Sequence, residues 1–171
     1  MKLLVRKLWF PHSVDETVEA LFQIGQMQLM FDEGYVYLGE MRPQGIKICP
    51  RYWPAGEIMK RVPNPGKDVC LVLTSMDLKG DYRSIHGKGD NRVSIASNDS
   101  FRISNRGFNF DSKDPSFNAM VFGEVGHALG LAHHALDLSN PCEMSHSDRL
   151  GYHWSSLDEI RFCNDCYKKI E

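Results

Sequence analysis

The sequence has little of what would commit a chain to a membrane or a polyanion. It nowhere holds the roughly twenty consecutive apolar residues that a membrane-spanning helix needs. Nor is there a basic excess: 20 Lys and Arg against 22 Asp and Glu leave a net charge of −2. That balance gives no handle for nucleic acid or an anionic lipid surface. Internal repeats and low-complexity tracts are absent, which excludes solenoids and fibrous arrays. The apolar opening Met1–Phe10 is interrupted by Arg6 and Lys7, and no small-residue cleavage site follows. It therefore fails as a secretory leader, and the expectation is an intracellular, cytoplasmic protein. Cysteine is scarce and odd in number, with Cys49, Cys70, Cys142, Cys163 and Cys166. In a reducing compartment the crowding of three near the C-terminus favours metal over disulfides. At 171 residues the chain suits a single domain, and a monomer is the separate expectation. A domain of that size buries about 70% of its unfolded surface, enough for a core without disulfides.

The first part reads as α/β. Residues 2–10 suit a strand ending at Pro11, Ser13-Val14-Asp15-Glu16 is a capping-box pattern opening a helix, and Tyr35–Leu38 suits a second strand. This is a βαβ-type start. A proline-rich stretch, 41–66, leaves room for a short helix near 55–62, ended by the turn Asn64-Pro65-Gly66. The continuous apolar run Val69–Thr74 fits a central strand covered on both faces. Val93–Ser97 reads as another strand, and His86–Asp90 as a glycine-rich turn, too weak a pattern for a phosphate loop. Residues 98–116 form a polar loop, after which Asp114-Pro115-Ser116 opens a helix from Phe117 to about Leu129. Cys49 and Cys70 are expected as buried core thiols.

The chemistry is concentrated in Glu124-Val125-Gly126-His127-Ala128-Leu129-Gly130-Leu131-Ala132-His133-His134. On a helix, Glu124 and His127 lie near one another on one face. Gly130 can take the left-handed conformation that ends a helix, turning the chain so that His133 returns toward His127. A carboxylate and two imidazoles converging in this way suit a zinc ion and a water beside a general base. The bland alternative is a glycine-capped helix with scattered histidines. It leaves the joint spacing of Glu124, His127, Gly130 and His133 unexplained.

The stretch resembles the metzincin signature His-Glu-x-x-His-x-x-Gly-x-x-His with its Met-turn, and most of all the archaemetzincin branch. The resemblance carries specific motifs from about residue 69 to the end, and only element order before that. It implies a twisted mixed β-sheet with an active-site helix over 1–133 and a short zinc-bearing part over 134–171, within one domain. It also implies zinc-dependent hydrolysis of peptides, with Glu124 as general base, His127 and His133 as zinc ligands, and Met144 as the Met-turn residue. Thr74-x-x-Asp77-Leu78 is similar to a family segment, and Val93–Ser97 to the strand bordering the substrate cleft. Gly123 stands where the first ligand belongs, and glycine has no side chain to ligate zinc. Peptidase activity is therefore expected to be weakened or lost, unless His86, His146 or His153 substitutes. The alternative is a non-catalytic relative that binds peptides or partners and keeps only a structural zinc.

In the resembling family a cysteine follows the third His, and Cys-x-Met and Cys-x-x-Cys complete a structural zinc site. Cys142-Glu143-Met144 and Cys163-Asn164-Asp165-Cys166 match, with His134 in the first position. Three thiolates and one imidazole give a closed tetrahedral site, so His134, Cys142, Cys163 and Cys166 are expected to hold zinc. A redox Cys163/Cys166 pair and free thiols are the competing readings. Ser156-Leu157-Asp158-Glu159 reads as a capping box opening the last helix.

Overall fold

The computed structural model describes residues 1–42, 53–80, 84–99, 110–145 and 153–170. Cys49, His146 and most of the polar loop lie outside them. The chain runs β1 (Leu3–Leu8), α1 (Val14–Leu21), α2 (Gly25–Met30), β2 (Tyr35–Glu40), β3 (Trp53–Pro54), α3 (Ala55–Met59) and β4 (Val69–Thr74). It continues with β5 (Leu78–Lys79), β6 (Ser84–Ile85), β7 (Gly87–Asp90), β8 (Val93–Ser97), α4 (Pro115–Ala128), a 3₁₀ turn (Leu157–Glu159) and α5 (Asn164–Tyr167). Ser13 accepts the Glu16 N–H to cap α1, and β1 pairs parallel with β2, so the βαβ opening forms as the pattern predicts.

The main sheet has the order β2-β1-β4-β8-β7, parallel except for the last pair. Every residue of β4 is buried, as its apolar run requires. Successive side chains of a strand point to opposite faces. Val69, Leu71 and Leu73 accordingly pack with α1, α2 and α4, whereas Cys70 and Val72 pack with α3 and β3. Burial pushes the Cys70 thiol up to about 11, the behaviour of an inert core cysteine.

Two readings change. Gly87–Asp90 is strand β7 rather than a turn, and it forms the sheet edge, so β8 lies between β4 and β7. The turn is instead Asn91-Arg92, both left-handed (φ 48° and 65°), as a two-residue hairpin with the natural strand twist demands. Ser156 makes no capping hydrogen bond either. Glu159 reaches back to the Ser155 N–H, the chain makes only the 3₁₀ turn, and the last helix starts separately at Asn164.

The glycines of β7 let α4 lie directly on the strand. A Cβ on Gly89 would overlap the Glu124 carbonyl oxygen, and one on Gly87 would press into the Glu124 side chain. The Arg92 N–H also donates to the Ala128 carbonyl, tying the hairpin to the helix end. Because the obstacle at position 89 is backbone, Gly89→Ala should cost more than the ~1–3 kcal/mol typical of an overpacked side chain. Urea unfolding measures it, and a loss below about 1 kcal/mol would mean that the helix has room to retreat.

Candidate metal centres

Helix α4 begins at Asp114, whose carboxylate accepts the N–H groups of Ser116 and Phe117, with Pro115 in the first turn. It ends in a Schellman motif: Gly130 is left-handed at φ 90°, its N–H donates to His127, and Leu131 N–H donates to Gly126. That turn carries His133 back over the last helical turn. The two imidazoles meet with Nε2 atoms 2.9 Å apart and rings at 78°.

The outer nitrogens fix the chemistry of the pair. His127 Nδ1 lies 2.9 Å from the Leu131 carbonyl, and His133 Nδ1 lies 3.3 Å from the Met144 carbonyl. Carbonyls only accept, so both Nδ1 atoms carry hydrogen and both Nε2 atoms present lone pairs to each other. Such a contact needs a shared proton or a cation between the rings. Two imidazoles on one tetrahedral zinc hold their nitrogens about 3.3 Å apart, given bonds of ~2.0–2.1 Å. The observed 2.9 Å lies within a few tenths of an ångström of that spacing, so the distance suits either a hydrogen-bonded pair or two ligands of one cation.

No third donor completes this pair among the described residues. The three atoms nearest to a Cβ built on Gly123 all belong to Glu143: Cγ at 3.3 Å, Oε1 at 3.3 Å and Cδ at 3.8 Å. The Glu143 carboxylate accepts the Trp154 indole N–H at 2.6 Å, and its own backbone N–H donates to Arg161 O at 2.8 Å. Sequence reasoning missed Glu143 and Trp154, because no spacing rule links either to position 123. Burial pushes Glu143 up to about 7, against the pull of the Trp154 N–H. Burial, then the Glu143 charge, push Glu124 up to about 7 as well, while nearby Lys88 pulls it down. His86 and His153 are both exposed and join no metal-competent group among the described residues.

The C-terminal set behaves differently. His134, Cys142, Cys163 and Cys166 offer ligand atoms all within 4.8 Å of one another, and the three thiols are buried. His134 Nε2 lies 3.3 Å from Cys142 Sγ and 3.7 Å from Cys163 Sγ. A tetrahedral zinc with bonds of ~2.0 Å to nitrogen and ~2.3 Å to sulfur sets that separation at about 3.6 Å. The donor set therefore fits a structural zinc. No disulfide joins these cysteines. Cys163 sits at the N-terminus of α5; although burial opposes it, the Cys166 N–H and neighbouring thiols bring its thiol below the ordinary value. Burial, followed by the Cys142 charge, pushes Cys166 up to about 12. One thiol drawn below the ordinary value beside two held above it is an arrangement that a divalent cation settles by displacing their protons.

This part docks on α4 through Phe162, stacked on Phe122 at 4.0 Å and pressed, with Met144, against the bare face of Gly126. Gln26 clamps the Phe162 backbone from both sides, accepting its N–H and donating to its carbonyl. Met144 is fully buried, and its carbonyl also receives the His134 N–H.

Two outcomes follow from these sites. Chelation, or Cys166→Ser, should remove one zinc per chain and lower the melting temperature sharply, since structural zinc is worth on the order of 10 kcal/mol of apparent stability. Elemental analysis with thermal melts checks this, and unchanged melting after complete metal loss would refute a structural role. For Glu124, the folded value of about 7 lies above the ordinary 4.5, so folding favours the protonated form. Its stability penalty is absent below pH 4.5, grows as the unfolded carboxyl ionises, and is complete above pH 7. Glu124→Gln should remove that decline and stabilise the protein at pH 8 by on the order of 3 kcal/mol. Parallel urea-stability profiles for both proteins across this range would exclude it.

No protein-family model matches this sequence, and no curated protein does. Solved structures do match over nearly the whole chain. Archaemetzincin from Archaeoglobus fulgidus, in complex with malonate, is 21% identical, with 99% of each chain covered and a TM-score of 0.65. Archaemetzincin from Methanopyrus kandleri is 19% identical over 99% of this chain and 93% of its own, also at 0.65. A zinc-dependent peptidase from Methanocorpusculum labreanum is 15% identical over 98% and 100%, again at 0.65. The mixed sheet with α4 across its edge is thus the archaemetzincin fold.

Proposed function

We propose that this protein is an archaemetzincin-type relative of the zinc metallopeptidases, with one structural zinc on His134, Cys142, Cys163 and Cys166. Its cleft binds peptides, and hydrolysis of peptide bonds is weakened or lost. The observation that carries this reading is the histidine pair. His127 and His133 come together as in a zinc site, yet Gly123 supplies no third donor and the Glu143 side chain stands beside it. Two imidazoles do not make a closed protein ligand set for zinc.

The residues that remain suit binding. Strand β7 is the sheet edge beside α4, and an extended peptide can add to such an edge through its main-chain groups. Glu124, more than half protonated below pH 7, can donate a hydrogen bond to a peptide carbonyl or accept one from an amide. The reading takes the protein to be a cytoplasmic monomer and Met144 to be the counterpart of the Met-turn residue. A net charge of −2 supports peptides over nucleic acid as partners. No helix among the described residues is long and apolar enough to cross a membrane.

Metal content tests the proposal against an active peptidase rescued by a substitute ligand. The expected result is one zinc per chain, unchanged in His127→Ala, with no hydrolysis of a peptide library above the level of that variant. Two zincs, one lost on His127→Ala together with peptidase activity, would establish the enzyme instead.

A further inference from the structure

We propose that Glu143 has taken over the space that a side chain at position 123 would fill, so that Gly123 and Glu143 form one coupled exchange. The inference rests on the reading that the histidine pair lacks its third ligand, and it says why a simple reversal would not restore one.

Three observations carry it. The Glu143 side chain supplies all three of the atoms nearest to a Cβ on Gly123, and the first two stand at 3.3 Å. A bare Cβ could be admitted by a shift of a few tenths of an ångström, but an imidazole extends several atoms further and needs volume that the carboxyl holds. The carboxyl is also anchored: Trp154 donates to Oε2, and the Glu143 N–H is bound to Arg161 O. Finally, both neighbours of Glu143 are engaged elsewhere. Cys142 belongs to the thiol cluster, and Met144 is buried with its carbonyl facing His133. For the side chain to leave, its bond to Trp154 has to break.

A glycine in a helix interior is ordinarily a cost, through backbone entropy and lost packing. At position 123 the packing is returned by a residue from another segment, so the glycine is part of a filled interior. Glu143 therefore acts as a wedge between α4 and the C-terminal part, and it faces Gly123 instead of serving as a ligand to the imidazole pair.

The test compares Gly123→His, Glu143→Ala and the double variant, each loaded with zinc alone. Metal content, zinc affinity from chelator competition, and melting temperature are read for each. The expected result is one zinc per chain in the parent and in Gly123→His, with Gly123→His melting lower than either the parent or the double variant. The double variant should gain a second zinc, lost again on His127→Ala. Should Gly123→His not fold, the cycle of Gly123→Ala and Glu143→Ala reads the same coupling. The double variant should then melt higher than the sum of the two single effects allows. The proposal is overturned if Gly123→His alone binds a second zinc as tightly as the double variant, or if the folded double variant stays at one. It is also overturned if the parent holds two zincs and Glu143→Ala loses one, which would make Glu143 a ligand. A second zinc in the parent that His127→Ala removes and Glu143→Ala leaves in place would overturn the proposed function and leave this exchange to be judged by the cycle alone.

Discussion

The constraint on which the rest of the site depends is the closeness of α4 to β7. A helix normally stands off a sheet by the thickness of its side chains, yet here the Glu124 carbonyl lies where a Cβ of the strand would be. Only glycine permits that approach. It places Glu124 against Gly87, among groups that leave its carboxyl poorly solvated, and it brings the helix end within reach of the Arg92 N–H. With the end of α4 held, the left-handed turn at Gly130 has a fixed point to swing from. The meeting of His133 with His127 then follows from geometry.

The same helix is the floor for the C-terminal part. Phe162 stacks on Phe122, and Gly126 is bare so that Phe162 and Met144 can press close. Burying an aromatic ring is worth about 2–3 kcal/mol, so Phe162 alone is a substantial anchor. The segment is otherwise short of regular structure, with one 3₁₀ turn and a four-residue helix. Its cohesion comes from that anchor, from the Gln26 clamp and from the four metal-competent side chains. Two kinds of organisation thus meet at α4: close backbone packing on the sheet side and side-chain chemistry on the other.

What could be read from the residues was what acts over short range or through a fixed spacing. The Asp114 cap, the Gly130 turn and the convergence of His127 with His133 were all legible, because each follows from the backbone within a few residues. The cysteine–histidine cluster was legible through its resemblance to a known spacing, and the continuous apolar run of β4 announced a strand covered on both faces. Strand β7 was not, since Gly87-Lys88-Gly89-Asp90 has no apolar alternation and its glycines serve the helix across from it. Ser156 misled because Glu159 accepts the Ser155 N–H instead and no serine hydroxyl caps the turn that follows. Glu143 stayed hidden for a deeper reason. Its meaning depends on a tertiary contact with a residue that has no side chain, and a sequence carries no mark for the space beside a glycine.

The tripeptide Cys142-Glu143-Met144 draws these threads into one short span. Its first residue faces the thiol cluster, its second the bare backbone of Gly123, and its third the bare face of Gly126 one turn further along α4. Three consecutive side chains with three different addresses leave no freedom in register. Inserting or deleting one residue here would deliver every group to its neighbour's destination, sulfur toward the helix and carboxyl toward the thiols. Length polymorphism among descendants of this chain should therefore spare this span, whatever drift the surrounding loops accumulate.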